Sequence, residues 1–317
     1  MVEVENLTKY YGEFPAIDGV TFESKKGEIL GFLGPNAAGK TTTMRIMTGF
    51  MPPTSGTARI GGHDIVEEPL EAKRQIGYLP ENVPLYEDMS VGHFLSFFAR
   101  LRGIRGPNVA KRVKYAMEAT NIAEREHWLI GKLSKGFRRR VGIAQALVHD
   151  PPLLILDEPT EGLDPIQIIE IRELIRSLRG NHTVILSTHI LPEAQVMADR
   201  IVIINRGRVV AIDTTQNLLN RIQLARKMRL QVRGPQKDVT ARLKAVGGVQ
   251  DVKVERSEDG TTAYVIEGAI DKDIRQALSE SVVKSGWSLL ELETVDTTLE
   301  DIFLQFTRQG KPEAQVQ

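Results

Sequence analysis

The feature that most constrains the fold is the segment at residues 34–41, GPNAAGKT, which matches the pattern GxxxxGK[ST]. It follows an apolar run at residues 29–33 that has the character of a buried strand, and it precedes the helix-forming stretch TTTMRIM. In such a loop the backbone N–H groups point at phosphates, the lysine reaches the outer phosphates and the threonine hydroxyl ligates magnesium. The pattern predicts a nucleoside triphosphate site, against the alternative of a glycine-rich turn before a helix.

Seven positions of this segment and the residue after it are expected to bind the nucleotide: Gly34, Asn36, Ala37, Ala38, Gly39, Lys40, Thr41 and Thr42. Ala37 stands where a glycine is usual. An alanine there is expected to be tolerated only if the position keeps an ordinary φ, because a Cβ atom penalises positive φ.

Composition excludes several other classes of protein. The chain has 317 residues, 41 Lys plus Arg and 41 Asp plus Glu, so no overall field attracts nucleic acid or anionic lipid. It has no cysteine, which excludes disulfides, thiol catalysis and cysteine-ligated metal sites. The first residues lack the pattern of a secretory signal, and no apolar run approaches the ~20 residues that span a bilayer. Any part in transport would therefore use the membrane segments of another protein.

The pattern of apolar residues changes along the chain. Residues 2–32 read as short alternating strands broken by glycines, and residues 52–60 as a further hairpin. Residues 88–150 have helical periodicity, which predicts an α-rich insertion. Residues 152–157 and 183–187 are apolar without alternation, as expected of parallel strands covered on both faces, and a helix is predicted between them at 165–178.

The last third of the chain predicts a second, smaller domain. After a polar helical stretch at 215–228, the segments read as strand 229–233, helix 238–246, strand 250–256, strand 262–267, helix 271–285 and strand 288–293. This is the split βαββαβ order of a ferredoxin-like unit. A last helix is expected in TLEDIFLQFT, followed by frayed residues from 308 onward.

A second motif is the apolar strand LLILDE, which ends in the carboxylates Asp157 and Glu158. In proteins with this phosphate loop, a neighbouring strand delivers an aspartate to the magnesium shell, and the next residue can face the attacking water. We therefore expect Asp157 to hold the metal and Glu158 to orient or deprotonate water. Alone, such a pair would more often be a solvated turn.

Between these motifs lies LSKGF at residues 133–137, followed by a basic stretch at 138–140 that could raise the local positive potential. Here the chain closely resembles the ATP-binding subunits of ABC transporters, whose signature LSGGQ opens a helix aimed at a phosphate. The resemblance covers about the first 220 residues, in the order phosphate loop, signature, LLILDEP, Asp-loop and histidine switch. Without it, a Ser-x-Gly before a helix would most often be only an N-cap.

The resemblance implies roles for further residues. Ser134 and Gly136 would contact the γ-phosphate of ATP held by an opposite subunit, and Tyr11 would stack on adenine. Asp164, in Gly-Leu-Asp, would belong to the loop that crosses the dimer interface, and His189 would touch the γ-phosphate. Glu81 stands where most of the family has a glutamine that contacts magnesium and water, and it is expected near the metal.

The predicted architecture is an α/β P-loop ATPase domain of the ABC type, with antiparallel β and α-helical subdomains, plus a small α+β ferredoxin-like domain. The expected bounds are 1–220 for the ATPase domain, with the α-helical subdomain at about 85–150, then 221–307 for the accessory domain and 308–317 for a flexible tail.

By the same resemblance, two copies would sandwich two Mg-ATP and hydrolyse ATP at Glu158, with Lys40 and His189 as the other catalytic residues. They would power a multi-span permease, in the export direction, from the cytoplasmic face of the inner membrane. The aromatic residues Phe94, Phe97 and Phe98 could help to dock it or could be core. Two other functions stay open, a soluble ABC-type ATPase that acts on nucleic acid or ribosomes and a nucleotide sensor without turnover. The balanced charge argues against direct binding of nucleic acid.

Overall fold

A computed structural model of the chain describes residues 1–222, 226–258, 260–268 and 274–295. The chain divides into two compact units, Met1–Thr215 and Gln216–Gln317. The division falls at the first residue of a helix and lies five residues before the boundary expected from the sequence, 220. Each unit is built around its own core.

The first unit contains ten strands and seven α-helices among the described residues. In chain order they are β1 (Val2–Tyr11), β2 (Phe14–Ser24), β3 (Ile29–Leu33), α1 (Lys40–Met47), β4 (Ser55–Ile60), β5 (His63–Asp64), α2 (Pro69–Arg74), β6 (Ile76–Leu79), α3 (Val91–Leu101), α4 (Asn108–Ala119), α5 (Lys135–Leu147), β7 (Leu153–Asp157), α6 (Pro165–Ser177), β8 (Thr183–Thr188), α7 (Leu191–Met197), β9 (Arg200–Asn205) and β10 (Arg208–Thr214). Helix α8 (Thr215–Ile222) begins at the boundary.

The central sheet has six strands in the order β10-β9-β3-β8-β7-β6, all parallel except the β9–β10 pair. Every residue of β3, β7 and β8 is buried, which explains their continuous apolar sequences. Because β8 lies between β3 and β7, the carboxyl ends of all three meet at one edge of the sheet. Leu33, Thr188 and Asp157 are the last residues of these strands, so the loops that follow them converge there.

A second, antiparallel sheet of order β2-β1-β4-β5 is also part of this unit. The predicted short strands near the N-terminus are longer than expected: β1 and β2 run for 10 and 11 residues and pair from Val2–Ser24 to Tyr11–Phe14. Their register shifts at several points, which breaks the alternation from which strands are read in a sequence. The predicted hairpin at residues 52–60 is strand β4, which pairs mainly with β1.

The helical block has a core of its own. Helices α3, α4 and α5, with 3₁₀ turns at Ala123–Arg125 and Ile130–Lys132, occupy the stretch with helical periodicity. Phe94, Val113 and Val141 are among the buried residues of its hydrophobic cluster. The side chain of Ser90 accepts a hydrogen bond from His93 N and caps α3.

The second unit contains β11 (Arg226–Arg233), α9 (Gln236–Lys244), β12 (Val249–Glu258), β13 (Thr261–Gly268), α10 (Arg275–Lys284) and β14 (Ser288–Val295). Its four strands form an antiparallel sheet in the order β12-β13-β11-β14. The element order is the predicted βαββαβ, and the core contains Leu230, Tyr264 and Leu278. Burial alternates along β13, which agrees with one face of the sheet packing on that core.

One helix prediction was too long. The polar stretch 215–228 was expected to be helical throughout, but α8 ends at Ile222 and residues from Arg226 onward belong to β11. Alternating burial of Met228, Leu230 and Val232 in the core decides in favour of a strand. The helix predicted in TLEDIFLQFT and the tail at 308–317 lie outside the described residues.

Candidate nucleotide site

The phosphate loop connects β3 to α1 and is tightly packed at its two outer glycines. A Cβ atom on Gly34 would lie 2.4 Å from Ile204 O, and one on Gly39 would lie 2.6 Å from the Ile17 side chain. Gly39 also has φ 105°, which L side chains rarely adopt. Only glycine fits at both positions, so these two residues fix the path of the loop.

Lys40 begins α1, and its ammonium group lies inside the loop. Nζ donates hydrogen bonds to Gly34 O at 2.8 Å and to Pro35 O at 3.2 Å, and the residue is 6% exposed. The lysine charge is therefore held in the concavity of the loop, which is the position from which a lysine can reach bound phosphates.

The backbone at Ala37 differs from the expectation. The residue has φ 62°, in the left-handed region, so the requirement for an ordinary φ was wrong. Its side chain is exposed. The loop therefore carries the local cost of a left-handed alanine, about 1–2 kcal/mol.

Asp157 ends β7 and is fully buried beside the start of α1. Its Oδ1 accepts hydrogen bonds from Ser187 Oγ at 2.5 Å and from Thr41 Oγ1 at 3.4 Å. Its Oδ2 is buried and has no hydrogen-bond partner in the described part of the chain. Burial raises the pKa of the Asp157 carboxyl, although the bonds from Ser187 and Thr41 partly oppose that shift.

This carboxylate has the chemistry of a magnesium ligand. A free carboxylate oxygen and the hydroxyl of Thr41 are hard oxygen donors, which Mg²⁺ prefers. No group of three His, Cys, Asp or Glu side chains in the described ranges could hold a metal by itself. A cation here would therefore need further oxygens from water and phosphate, as Mg²⁺ in nucleotide sites has. The residues present fit a nucleotide-bound magnesium ion.

Glu158 has a strained backbone conformation, and its carboxylate lies between a lysine and a histidine. It has φ 46°, and its N–H donates to Ser187 Oγ at 2.9 Å. Its Oε1 lies 3.3 Å from Lys40 Nζ, and its Oε2 lies 3.0 Å from His189 Nδ1. The structure thus brings together Lys40, Glu158 and His189, which follow three neighbouring strands in the chain.

A cavity of about 390 Å³ opens over the phosphate loop. Its lining residues are Tyr11, Phe14, Ala16, Asn36, Ala37, Ala38, Gly39, Lys40, Thr41, Thr42, Glu81, Glu158 and Glu161. Tyr11 is 49% exposed, which leaves ring surface free for stacking. Glu161, three residues beyond Glu158, also lines the cavity, although the sequence analysis did not select it.

A buried arginine is bonded to the main chain of one residue that lines this cavity. Arg139 of α5 is 5% exposed, and its Nη1 donates to the carbonyl oxygen of Glu81 at 2.9 Å. Burial lowers the pKa of the Arg139 guanidinium, while the charges of Glu161 and Glu81 oppose that shift. Arg139 holds the main chain at Glu81, and its positive charge lies near the Glu81 carboxylate.

The other two arginines of the basic stretch are also paired within the chain. Arg138 Nη1 lies 2.8 Å from Glu87 Oε1, and Arg140 Nη2 lies 2.6 Å from Glu170 Oε2. The expectation that this stretch adds positive potential is therefore not supported, because both charges are partly neutralised by internal ion pairs.

The signature residues lie away from the phosphate loop of the same chain. Ser134 is the N-cap of α5, and its Oγ accepts a hydrogen bond from Phe137 N at 3.4 Å. Ser134 and Gly136 line a different cavity of about 570 Å³, together with Gln167 of α6. Asp164 caps α6 by accepting a hydrogen bond from Gln167 N at 2.9 Å. These three predicted residues are thus placed at helix N-termini, and none lines the cavity that contains Lys40.

The aromatic residues near α3 divide between core and surface. Phe94 is fully buried, whereas Phe97 is 44% exposed and Tyr86 is 50% exposed. The rings of Tyr86, Phe97 and Phe98 lie within 6.3 Å of one another, centroid to centroid. In the part of the chain that the structure describes, no helix combines the length and apolar character needed to cross a bilayer.

Comparison with known proteins places this geometry in context. Residues 17–161 match the family model described as ABC transporter. The chain is 33% identical over 308 residues to the linearmycin resistance ATP-binding protein LnrL of Bacillus subtilis. This alignment covers 97% of this chain and 98% of the relative. It is 34% identical over 313 residues to the bacitracin transport ATP-binding protein BcrA of Bacillus licheniformis, with 98% of each chain covered.

Solved structures show the same cassette. A structure of the ATP-binding subunit of an ABC transporter aligns with a TM-score of 0.63 at 32% identity, over 70% of this chain and 92% of that one. A dimeric, post-hydrolysis structure of the ATP-binding cassette MJ0796 with ADP and Pi aligns with a TM-score of 0.61 at 25% identity, over 68% and 98% of the two chains. The predicted α/β fold class of the first unit is confirmed.

Proposed function

The chain belongs to the family of ABC transporter ATP-binding subunits and is an ATPase coupled to transport, and from that premise we propose that two copies close around two Mg-ATP to drive a separate permease. Each nucleotide would lie between the phosphate loop of one copy and the start of α5 in the other. Hydrolysis would allow the pair to reopen, so that cleavage of a bond drives motion of the permease.

The observation that carries this proposal is the separation of the two half-sites. Lys40 and Glu158 line one cavity, whereas Ser134 and Gly136 line another. The N-terminus of the 13-residue helix α5 provides N–H groups and a positive dipole end suited to a phosphate. A second copy of the chain could place that helix end over the nucleotide of the first, so each site would be completed only by a partner.

Within one half-site the residues have distinct tasks. Lys40 would neutralise charge that develops on the γ-phosphoryl group, because its ammonium is held in the concave side of the loop. Glu158 would orient the attacking water or accept its proton, and His189, 3.0 Å from it, would contact the γ-phosphate. Tyr11 would stack on adenine at the open end of the cavity.

Asp157, Thr41 and Glu81 would hold the magnesium ion. When bound, the ion would withdraw charge from the phosphate oxygens. Asp157 supplies the free Oδ2, Thr41 supplies a hydroxyl, and Glu81 lines the same cavity and could accept from a metal-bound water.

The names of two relatives support a permease partner and the export direction. LnrL is named for resistance to linearmycin and BcrA for bacitracin transport, and both align along nearly their whole length. We therefore propose export, with the chain held at the cytoplasmic face of the inner membrane through its permease. Tyr86, Phe97 and Leu101, which are 50%, 44% and 68% exposed, offer an apolar surface for that contact.

The test combines hydrolysis with association. Glu158→Gln should lose at least about 100-fold in ATP turnover yet still bind Mg-ATP, because only the water-activating group is changed. It should elute as a dimer with ATP, whereas Lys40→Ala should remain a monomer. Hydrolysis by Glu158→Gln at the rate of the unmodified protein would overturn the assigned roles.

The partner is tested by purification from solubilised membranes. Recovery of a multi-span membrane protein with the unmodified chain, and its loss from Phe97→Glu, would support coupling to a permease. Recovery of ribosomes or DNA instead would overturn it.

A further inference from the structure

A buried carboxylate outside the nucleotide cavity connects the loops that carry two of the catalytic residues. Glu193, in the first turn of α7, is 1% exposed. Its Oε2 accepts hydrogen bonds from Thr160 Oγ1 at 2.5 Å and from Thr188 Oγ1 at 3.3 Å. Thr160 lies two residues after Glu158, and Thr188 directly precedes His189.

Both threonines also make hydrogen bonds with main-chain groups of these loops. Thr188 Oγ1 also accepts a hydrogen bond from Ile190 N at 3.0 Å, so this hydroxyl joins the residues on both sides of His189. Thr188 O accepts a bond from Gly34 N, at the start of the phosphate loop. On the other side, Leu163 N donates to Thr160 O and closes the turn after Glu158. Glu193 therefore lies where three loops of the site are connected.

Glu193 has a cationic partner in Arg172. Arg172 of α6 places Nη2 at 3.5 Å from Glu193 Oε1, and its side chain is 23% exposed. A carboxylate this deeply buried is costly unless it is paired and hydrogen-bonded, and here it has an ion pair and two hydroxyl donors. A buried carboxylate that accepts from two hydroxyl groups can hold its surroundings in one arrangement.

We propose that Glu193 is a positioning residue for ATP hydrolysis, which holds the loop after β7 and the loop after β8 so that Glu158 and His189 meet. The inference rests on the proposed catalytic role of Glu158. Glu158 has φ 46°, a conformation that persists only where neighbouring structure imposes it. The bond from Thr160 to Glu193 supplies such a restraint two residues away. None of the groups in this network lines the nucleotide cavity.

The test uses Thr160→Val, which removes the hydroxyl at constant shape, and Glu193→Gln, which replaces one acceptor oxygen by a donor facing Arg172. Each should lower kcat by about 10- to 100-fold, since a misplacement of ~1 Å can cost about 10²-fold. The KM for Mg-ATP and the affinity for a non-hydrolysable analogue should change by less than about threefold, because the phosphate loop is unaltered. Thr160→Ser, which keeps the hydroxyl, should restore kcat.

A matched control separates positioning from general loss of stability. Glu28 is also a carboxylate that is largely buried, paired with Arg200 at 3.3 Å, but at the opposite end of the central sheet. Glu28→Gln should lower the melting temperature with kcat nearly unchanged. The double variant Thr160→Val with Glu193→Gln should lose less than the product of the two single losses, because both changes act on the same network of contacts.

The proposal would be overturned if Thr160→Val and Glu193→Gln kept kcat within about twofold of the unmodified protein. It would also be overturned if they weakened analogue binding as much as they slowed turnover. If Glu158→Gln were fully active, the catalytic assignment itself would fail. If Glu158→Gln were inactive while both network variants were normal, only the role of Glu193 would fail.

Discussion

Replacement of Ala37 by glycine should stabilise the protein. Ala37 has φ 62°, which costs an L-residue about 1–2 kcal/mol relative to glycine. Against this, glycine loses about 0.5–1 kcal/mol more conformational entropy on folding than alanine. The side chain is exposed, so removal of its methyl group forfeits little burial. The difference between the midpoints of these two ranges is a net gain of about 0.75 kcal/mol, or a rise in melting temperature of about 2–3 °C for a unit of this size.

Ala38→Gly is the matched control, because the next residue is 3% exposed and is absent from the positive-φ residues of the described chain. It gains no relief of strain, loses a buried methyl worth about 0.8 kcal/mol and adds the same entropy cost. Its melting temperature should fall by about 3 °C or more. Both variants are compared by calorimetry with magnesium chelated and no nucleotide present. A fall for Ala37→Gly similar to that for Ala38→Gly would refute the reasoning.

Two further predictions concern buried titratable groups. Because burial raises the pKa of Asp157, Asp157→Asn should melt at a higher temperature than the unmodified protein when no nucleotide is present, as measured by calorimetry. It should also lose at least about 100-fold in Mg-ATP turnover, as measured by phosphate release. A lower melting temperature would contradict this. Burial and the charge of Arg102 lower the pKa of His149 from 6.5 to about 4. Because the unfolded chain then binds the proton at a higher pH than the folded chain, the free energy of unfolding should fall by on the order of 3 kcal/mol between pH 6.5 and 4. Urea unfolding of His149→Asn should lack that part of the pH dependence, and identical curves for the two proteins would contradict it.

The sequence predicted best those features that are encoded locally. The phosphate loop, the buried strands β3, β7 and β8, and the βαββαβ order of the second unit all depend on short-range patterns. Cavity-lining positions such as Tyr11 and Glu81 came from resemblance to the family rather than from spacing, and the structure places both at the cavity over Lys40.

Features set by long-range contacts were missed or wrong. The positive φ of Ala37 is not indicated by its residue type, and the end of helix α8 depends on the core that contains Met228 of the following strand. The link between Thr160 and Glu193 joins residues 33 positions apart, and no local pattern marks it. Glu161 was overlooked because its role at the cavity depends on the sharp turn at Glu158.

The central claim is that each nucleotide site is made of two copies, and mixing two inactive variants tests it most directly. Lys40→Ala destroys the phosphate-loop half of a site, and Ser134→Arg destroys the half at the start of α5. In a mixed dimer one site carries both lesions and the other carries neither, so ATPase activity should reappear on mixing and reach about half the activity per mixed dimer if the two sites act independently. Activity that stays at the level of the separate variants, although mixed dimers are shown to form, would contradict the account.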